Sequence, residues 1–472
     1  MTLETIFFWQ VCAIDCIQKV DAVRKNKIKG GCTMKKVMSL LLVLILGFAL
    51  MACGGDEETG DVDLDEAEGL TAEISVQVEE DWLPIYEAAR DRVLEDNPDA
   101  TINFIETPSF DHLDVLDSTD PTNEDVADLF AIPADRIFGL YQNDALAALD
   151  ALELADRVGG FDDYEAGLGG NFIINDEYMA FPMNIETLIN FANAANAEAA
   201  GIDLSSTIEF TELDYEDMLV PVFNAWFGVA ITNSADVEFL GHDENGELYS
   251  DLTQDFADLD PEKQDVFEAL FNYWQAHHEA GTDLWDTDAA WGYMDSEFTT
   301  GGNTSLRIEG PWSTGNLSNQ AGEGEDLEIL NLGQVTVNGN PMAHWQGGWG
   351  LVLNARVEMD EDKMLLGHRM IEEIMNTDYA VEFYQASGKI MENVDASVYA
   401  DSDQLSDTDI EVITAVIESY NEAPARPLFT EWGQVWDTWE TALISWSSVN
   451  PSNVEEAYEQ IQASFEAMML NF

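Results

Sequence analysis

Basic residues are scarce in this chain: 18 Lys and Arg stand against 93 Asp and Glu in 472 residues. From Cys53 onward the counts are 11 against 90, a net charge of −79 over 420 residues. Nucleic acid is excluded as a partner, because phosphate contacts need clusters of Lys and Arg and none exists here. An anionic bilayer surface is repelled for the same reason. Cysteine is rarer still. Cys12, Cys16, Cys32 and Cys53 are the full set, so the chain beyond Cys53 has neither a disulfide nor thiol chemistry. Long apolar runs are missing too: Val37 to Leu50 spans 14 residues, short of the roughly 20 that a membrane helix needs.

The common catalytic signatures are also absent. His278-Glu279 begins an HExxH pattern, but Thr282 stands where the second zinc-binding histidine must be. There is no G-x-S-x-G, no P-loop and no G-x-G-x-x-G. Asp61-Asp63-Asp65 has the spacing of a calcium loop, yet Glu66 replaces the obligatory Gly and Ala72 the final Glu. Carboxylates are too abundant for any pair to stand out as a glycosidase acid and nucleophile. The expectation is therefore a protein without metal or cofactor, and not an enzyme.

What is present begins with an address. Met34-Lys35-Lys36, the apolar stretch Val37–Leu50 and then Met51-Ala52-Cys53 read as a secretory signal ending in a lipobox, with Cys53 acylated and first in the mature chain. Lys29-Gly30-Gly31 can be encoded by a purine run of ribosome-binding type just before Met34. Residues 1–33 are thus expected to be an upstream extension outside the translated protein, a genuine long leader being the alternative. Residues 34–52 form the signal and 53–69 an acidic flexible tether. Gly54 rather than Asp after the cysteine carries no inner-membrane retention signal, which points to a Gram-positive cell surface, on the outer face of the cytoplasmic membrane.

Over the full sequence, 46% hydrophobic and 10% aromatic content supports a folded core despite the charge. Such an acidic surface repels itself unless screened, which suits saline or alkaline surroundings. Alternation predicts strands over 73–78, 100–107, 128–132 and 178–183, and a helix over 82–95. This β-α-β order argues α/β layers with largely parallel sheets in two domains. Asn245-Gly246 predicts a hairpin between 237–240 and 248–249. Helices are expected at 261–280, 361–376, 408–421, 430–446 and 453–469.

Twelve Trp follow Cys53, several beside Gly or Pro at predicted element ends, where a flat indole can line a cleft. An indole matches the C–H face of a pyranose, and charged side chains match its hydroxyls at about 1.5–3 kcal/mol per hydrogen bond. Trp432, Trp436 and Trp439 lie at helical spacing, so part of that set is packing.

Four segments in order then carry a resemblance. They are Ala127–Arg136 (ADLFAIPADR) with Gly139, Tyr178–Thr187 (YMAFPMNIET), Phe298–Trp312 (FTTGGNTSLRIEGPW), and Ala425-Arg426-Pro427 through Val435-Trp436-Asp437. With these, residues 71–470 resemble the family 1 extracellular solute-binding proteins of ABC importers, most of all the maltose/maltodextrin group. The resemblance implies a two-lobed, type II periplasmic-binding-protein-like α/β fold, with a hinge and a ligand cleft between lobes. The N-lobe would be 70–185 and 346–388, the C-lobe 186–345 and 389–472. By the same resemblance Asp135, Arg136 and Glu186 would bind sugar hydroxyls, and Trp312 and Trp436 would stack on sugar. Trp226 would replace a stacking Tyr, Asn224 a hydroxyl-binding acid, and Asp81 would match an acid after the first strand. Ile132 stands where the maltose group often has Trp. The implied partners are an oligosaccharide and membrane permease subunits with a separate ATPase, the protein itself being a lipid-anchored monomer. A surface glycosidase and a binding protein for a non-sugar solute are the alternatives.

Overall fold

The computed structural model describes Leu64 and residues 69–472, except Asp162 and Glu244. The extension 1–33, the signal 34–52 and Cys53 lie outside the described residues. Within the segment expected to be a tether, Leu64 is buried in a hydrophobic core, so a free tether does not extend across it.

The body opens with the expected alternation: β1 (Glu73–Val78), α1 (Leu83–Asp96), β2 (Thr101–Glu106), α2 (Ser109–Ser118) and β3 (Leu129–Pro133). α1 buries Ile85, Tyr86, Ala89 and Val93, a stripe at helical spacing. β3 is buried at every position, as a strand covered on both faces must be. Next come β4 (Leu146–Ala147), β5 (Phe181–Glu186), β6 (Ile189–Asn193), β7 (Met218–Leu219) and α3 (Ala225–Thr232). The long helix α4 (Pro261–Ala280) runs over the expected residues: Pro261 opens it, and Gly281 at φ +69° ends it. β8 (Leu306–Glu309), β9 (Leu327–Leu330) and β10 (Gly347–Asn354) follow. Then come α5 (Glu361–Ile374), α6 (Ala380–Ser387), α7 (Asp407–Glu422), α8 (Val435–Val449) and α9 (Val454–Met469).

Two sheets organise these elements. The first has the order β2-β1-β3-β10-β4, with β5 also paired to β10; the second has the order β7-β8-β6-β9. Within these two sheets the expectation of largely parallel pairing holds for β1–β2, β1–β3 and β7–β8. β10 runs antiparallel to β3, β4 and β5, and β6 antiparallel to β8 and β9. The reason for β10 is its point of entry. The cleft-side end of β3, Pro133, pairs with Trp349 near the start of β10, so the returning chain must run the opposite way. The hairpin at Gly246 forms with Gly241–His242 against Leu248–Tyr249, so 237–240 is not the first strand.

Buried side chains form two clusters: the first spans the first sheet and reaches Ile189 and Phe191 of β6, and the second covers β7, β8 and the other face of β6. The chain crosses between the two sheets at 186–189, from β5 to β6, and at 345–347, ahead of β10, and 424–425 runs beside the second crossing. Ile390, Met391, Val394, Tyr399, Val412 and Val416 pack into the first cluster, which also holds Ile189 and Phe191 of the second sheet, so this stretch lies against both sheets. α7 explains why composition could not place this stretch, since it touches β5 of one sheet and β9 of the other. At the crossing, Gly347 pairs with Glu186, and the Gln346 N–H donates to the Pro424 carbonyl at 2.8 Å. The chain at Glu186, Gln346-Gly347 and Pro424-Ala425 therefore lies side by side.

Candidate functional site

The crossing strands bring distant residues to one cleft. Asp135, Arg136, Glu186, Asn224, Trp226, Trp312 and Trp436 all line a compartment of about 770 Å³. Asp81 is not among them. It sits exposed on the turn Glu80–Trp82 and lines a second compartment of about 1000 Å³. The two compartments share Phe110, Glu186, Trp312 and Trp349 as a common wall.

Trp312 owes its pose to Gly310. A Cβ at Gly310 would lie 2.1–2.3 Å from three atoms of the indole ring, so only glycine lets the ring fold back over the Gly310-Pro311 turn. The ring remains 53% exposed, an uncommon state for Trp in a folded protein. Below it, Arg307 is buried and donates from Nε and Nη2 to Glu309, while the Ser313 hydroxyl donates to the other Glu309 oxygen at 3.3 Å. β8 thus ends in a braced platform. Burial raises the Glu309 carboxyl above its usual range, and Arg307 opposes the shift.

Trp226 begins α3, where the Asn224 side-chain oxygen caps the helix by accepting from the Trp226 N–H at 3.0 Å. With that oxygen committed, Asn224 has its NH2 to offer a ligand, not the acceptor that an acid there would supply. The Trp226 carbonyl accepts from His344 Nε2 at 2.9 Å, which fixes the proton on that nitrogen, since a carbonyl can only accept. His344 is fully buried, and desolvation, with Arg426 adding to it, lowers its pKa to about 3. It is therefore a neutral strut.

Sequence neighbours do not act as a pair here. Asp135 accepts from Arg426 at 2.9 Å, whereas Arg136 reaches Asp117 at 2.6 Å on the rim. The other Asp135 oxygen, Oδ1, is buried and has no hydrogen-bond partner among the described residues. A buried acceptor left unpaired is costly, and a hydroxyl donor in the cleft would relieve that cost. Arg426 was not singled out from sequence. It is 9% exposed and lies 5.0 Å from the Trp226 ring centroid and 5.9 Å from that of Trp345. Its place in the Ala425-Arg426-Pro427 segment was the available signal.

Trp349 was also missed as a site residue. It donates Nε1–H to Glu186 at 3.3 Å and meets the exposed Phe110 ring edge-on at 5.4 Å. Trp436 lies against Trp432 at 4.7 Å, and both contact Trp345. Trp439, by contrast, is wholly buried, stacks on Phe239 at 4.5 Å and donates to the Val222 carbonyl at 2.7 Å. The helical trio therefore divides as its spacing suggested, into cleft lining and packing. Among the described residues no group of His, Cys, Asp and Glu is arranged to hold a metal ion.

The cleft combines the exposed indole of Trp312 and the half-buried indoles of Trp226 and Trp436 with charged hydrogen-bonding groups, an arrangement suited to binding a polyhydroxylated ring. Known proteins are consistent with this picture. No family model matches the chain. It is 22% identical over 447 residues to the maltodextrin-binding protein MdxE of Bacillus subtilis (strain 168), covering 91% of this chain and 96% of that protein. Its structure is similar to that of the maltose-binding periplasmic protein MalE of Listeria monocytogenes in complex with maltose, with a TM-score of 0.65 and 17% identity. That match covers 85% of this chain and 99% of the other. Streptococcus pneumoniae MalX in complex with maltopentaose matches at a TM-score of 0.60 and 18% identity, covering 84% and 99%. The fold is thus the two-lobed, type II binding-protein fold, and the chain is similar over nearly its full length to solute-binding proteins of the maltodextrin group. The Bacillus and Listeria proteins are binding proteins by description, not enzymes.

Proposed function

We propose that the protein captures an oligosaccharide of maltodextrin type between its lobes and delivers it to the permease of an ABC importer, with ATP hydrolysed on a separate subunit. The observation that carries this reading is the cleft of about 770 Å³. In it, Trp226, Trp312 and Trp436 offer ring faces while Asp135, Arg136, Glu186, Asn224 and Arg426 offer hydrogen bonds. Asp81 would contact longer ligands from the adjoining compartment. Contacts supplied by both lobes are complete only when the cleft is closed, so a ligand shifts the open–closed population by its preference for the closed form. The N-lobe carries β1–β5 and β10, the C-lobe β6–β9.

Acylation of Cys53 would hold the body at the outer face of the cytoplasmic membrane, as a monomer near its permease. Mass spectrometry of the mature N-terminus tests this: a diacylated or triacylated Cys53 is expected, and an unmodified cysteine or an N-terminus upstream of Met34 removes the anchor or the start assignment. The sugar reading is tested by calorimetric titration and tryptophan fluorescence against malto-, cello- and xylo-oligosaccharides at low and high salt. Saturable binding of maltodextrins is expected, and no response to any of the three series would overturn it.

A further inference from the structure

Among the described residues Lys389 is the cation of the cleft that no carboxylate holds. It follows α6, whose end is set by Gly388 at φ +67°. Its ammonium lies 4.5 Å from the Trp349 ring centroid and 5.3 Å from that of Trp82. Arg136 and Arg426, the other cations of the cleft, are each tied to a carboxylate. Among the described residues the Lys389 Nζ makes no hydrogen bond and has no carboxylate oxygen within 4.0 Å. Its side chain is partly buried, and desolvation lowers its pKa, with Glu186 and Glu79 opposing the shift.

Two indole faces stabilise a positive charge but accept little from its N–H groups. An ammonium carries three donors, and here they remain to be used. The compartment that Lys389 lines also presents Glu79, Asp81, Glu186 and Asp409. Four carboxylates against one ammonium repel an anionic ligand. Acceptors and a donor around one space instead match a neutral unit whose hydroxyls both give and take hydrogen bonds. The shared wall of Phe110, Glu186, Trp312 and Trp349 makes this space continuous with the compartment of Trp226 and Trp436.

We propose that Lys389 is a specificity-determining ligand contact that reads chain length, donating to oxygens of a neutral sugar unit that extends past Trp312 and Trp349 into the second compartment. This rests on the sugar-binding reading above, and one experiment separates the two. Wild-type protein and Lys389→Met are titrated with maltose and with maltooligosaccharides up to seven units, and the melting temperature of each protein is recorded. The expected result is that Lys389→Met binds the disaccharide as wild type does but loses tenfold or more for the longest chains, with no preference for length left. Wild-type protein that binds none of these sugars overturns the sugar reading itself. Wild-type binding with an equal loss at every length in the variant, or no loss at any, overturns the role of Lys389 alone. Should Lys389→Met not fold, Lys389→Gln is titrated in the same way and judged by the same outcomes.

Discussion

Asp135, in the turn Ala134–Arg136 just after β3, is paired at 2.9 Å with Arg426, which lies across the indole of Trp226, itself packed against the second cluster. One guanidinium thus links the acid of one wall to a ring of the other. Asp135→Ala is expected to weaken sugar binding tenfold or more without unfolding the protein, as is Arg426→Met. Calorimetric titration beside a thermal melt checks both, and unchanged affinity in both variants removes the pair from the site.

Trp312 and Trp439 should respond in opposite ways to the same change. Trp312 is half exposed, so Trp312→Ala is expected to leave the melting temperature nearly unchanged and to cost at least about tenfold in affinity, or about 1.4 kcal/mol. Trp439 is wholly buried, so Trp439→Ala is expected to cost about 3–5 kcal/mol of stability in denaturant titrations.

Gly310→Ala tests whether the pose of Trp312 matters. The backbone there is extended, at φ −87°, and accepts alanine, but the new methyl must displace the indole. Sugar affinity should fall by an amount close to that of Trp312→Ala, and the fold should be retained by circular dichroism.

His344 makes stability depend on pH. Its folded pKa of about 3 lies below the unfolded value near 6.5, so between these values the unfolded chain binds the extra proton. The contribution is complete above about pH 6.5 and is lost progressively as pH falls toward 3. Urea titrations from pH 7 to pH 4 should show His344→Gln losing less stability than wild type over this range. An identical slope in both would mean that the imidazole is free to charge in the folded state.

Charge alone predicts a salt effect. With −79 on the chain after Cys53 and few cations to offset it, raising sodium chloride from about 0.01 M to 1 M shortens the Debye length from about 30 Å to 3 Å. The thermal midpoint should rise across that range, and a fall would show that specific ion pairs outweigh the general repulsion.

Local signals carried much of the fold. Pro261 and Gly281 bracket α4 because proline suits a first helical turn and glycine a left-handed stop, both readable without any partner. The direction of β10 and the contact of α7 with both sheets were not readable. Both depend on how the chain crosses between sheets, which no local periodicity records. The same division holds in the cleft. Trp312 announced itself through Gly310-Pro311, and Trp226 and Trp436 through their segments. Arg426, Trp349 and Lys389 earn their places only through contacts with residues remote in sequence, and Asn224 is turned from acceptor to donor by a helix end that residue type alone does not reveal.

The chain at Glu186, Gln346-Gly347 and Pro424-Ala425 lies as adjacent, hydrogen-bonded ribbons. A strap of three paired segments bends more easily out of its own plane than it slips sideways. In the proposed closure the two walls would therefore be held to one arc of travel, like the boards of a book sewn along its spine. Each closing would bring the same indoles opposite the same acids, so the stitching would set selectivity as much as the page.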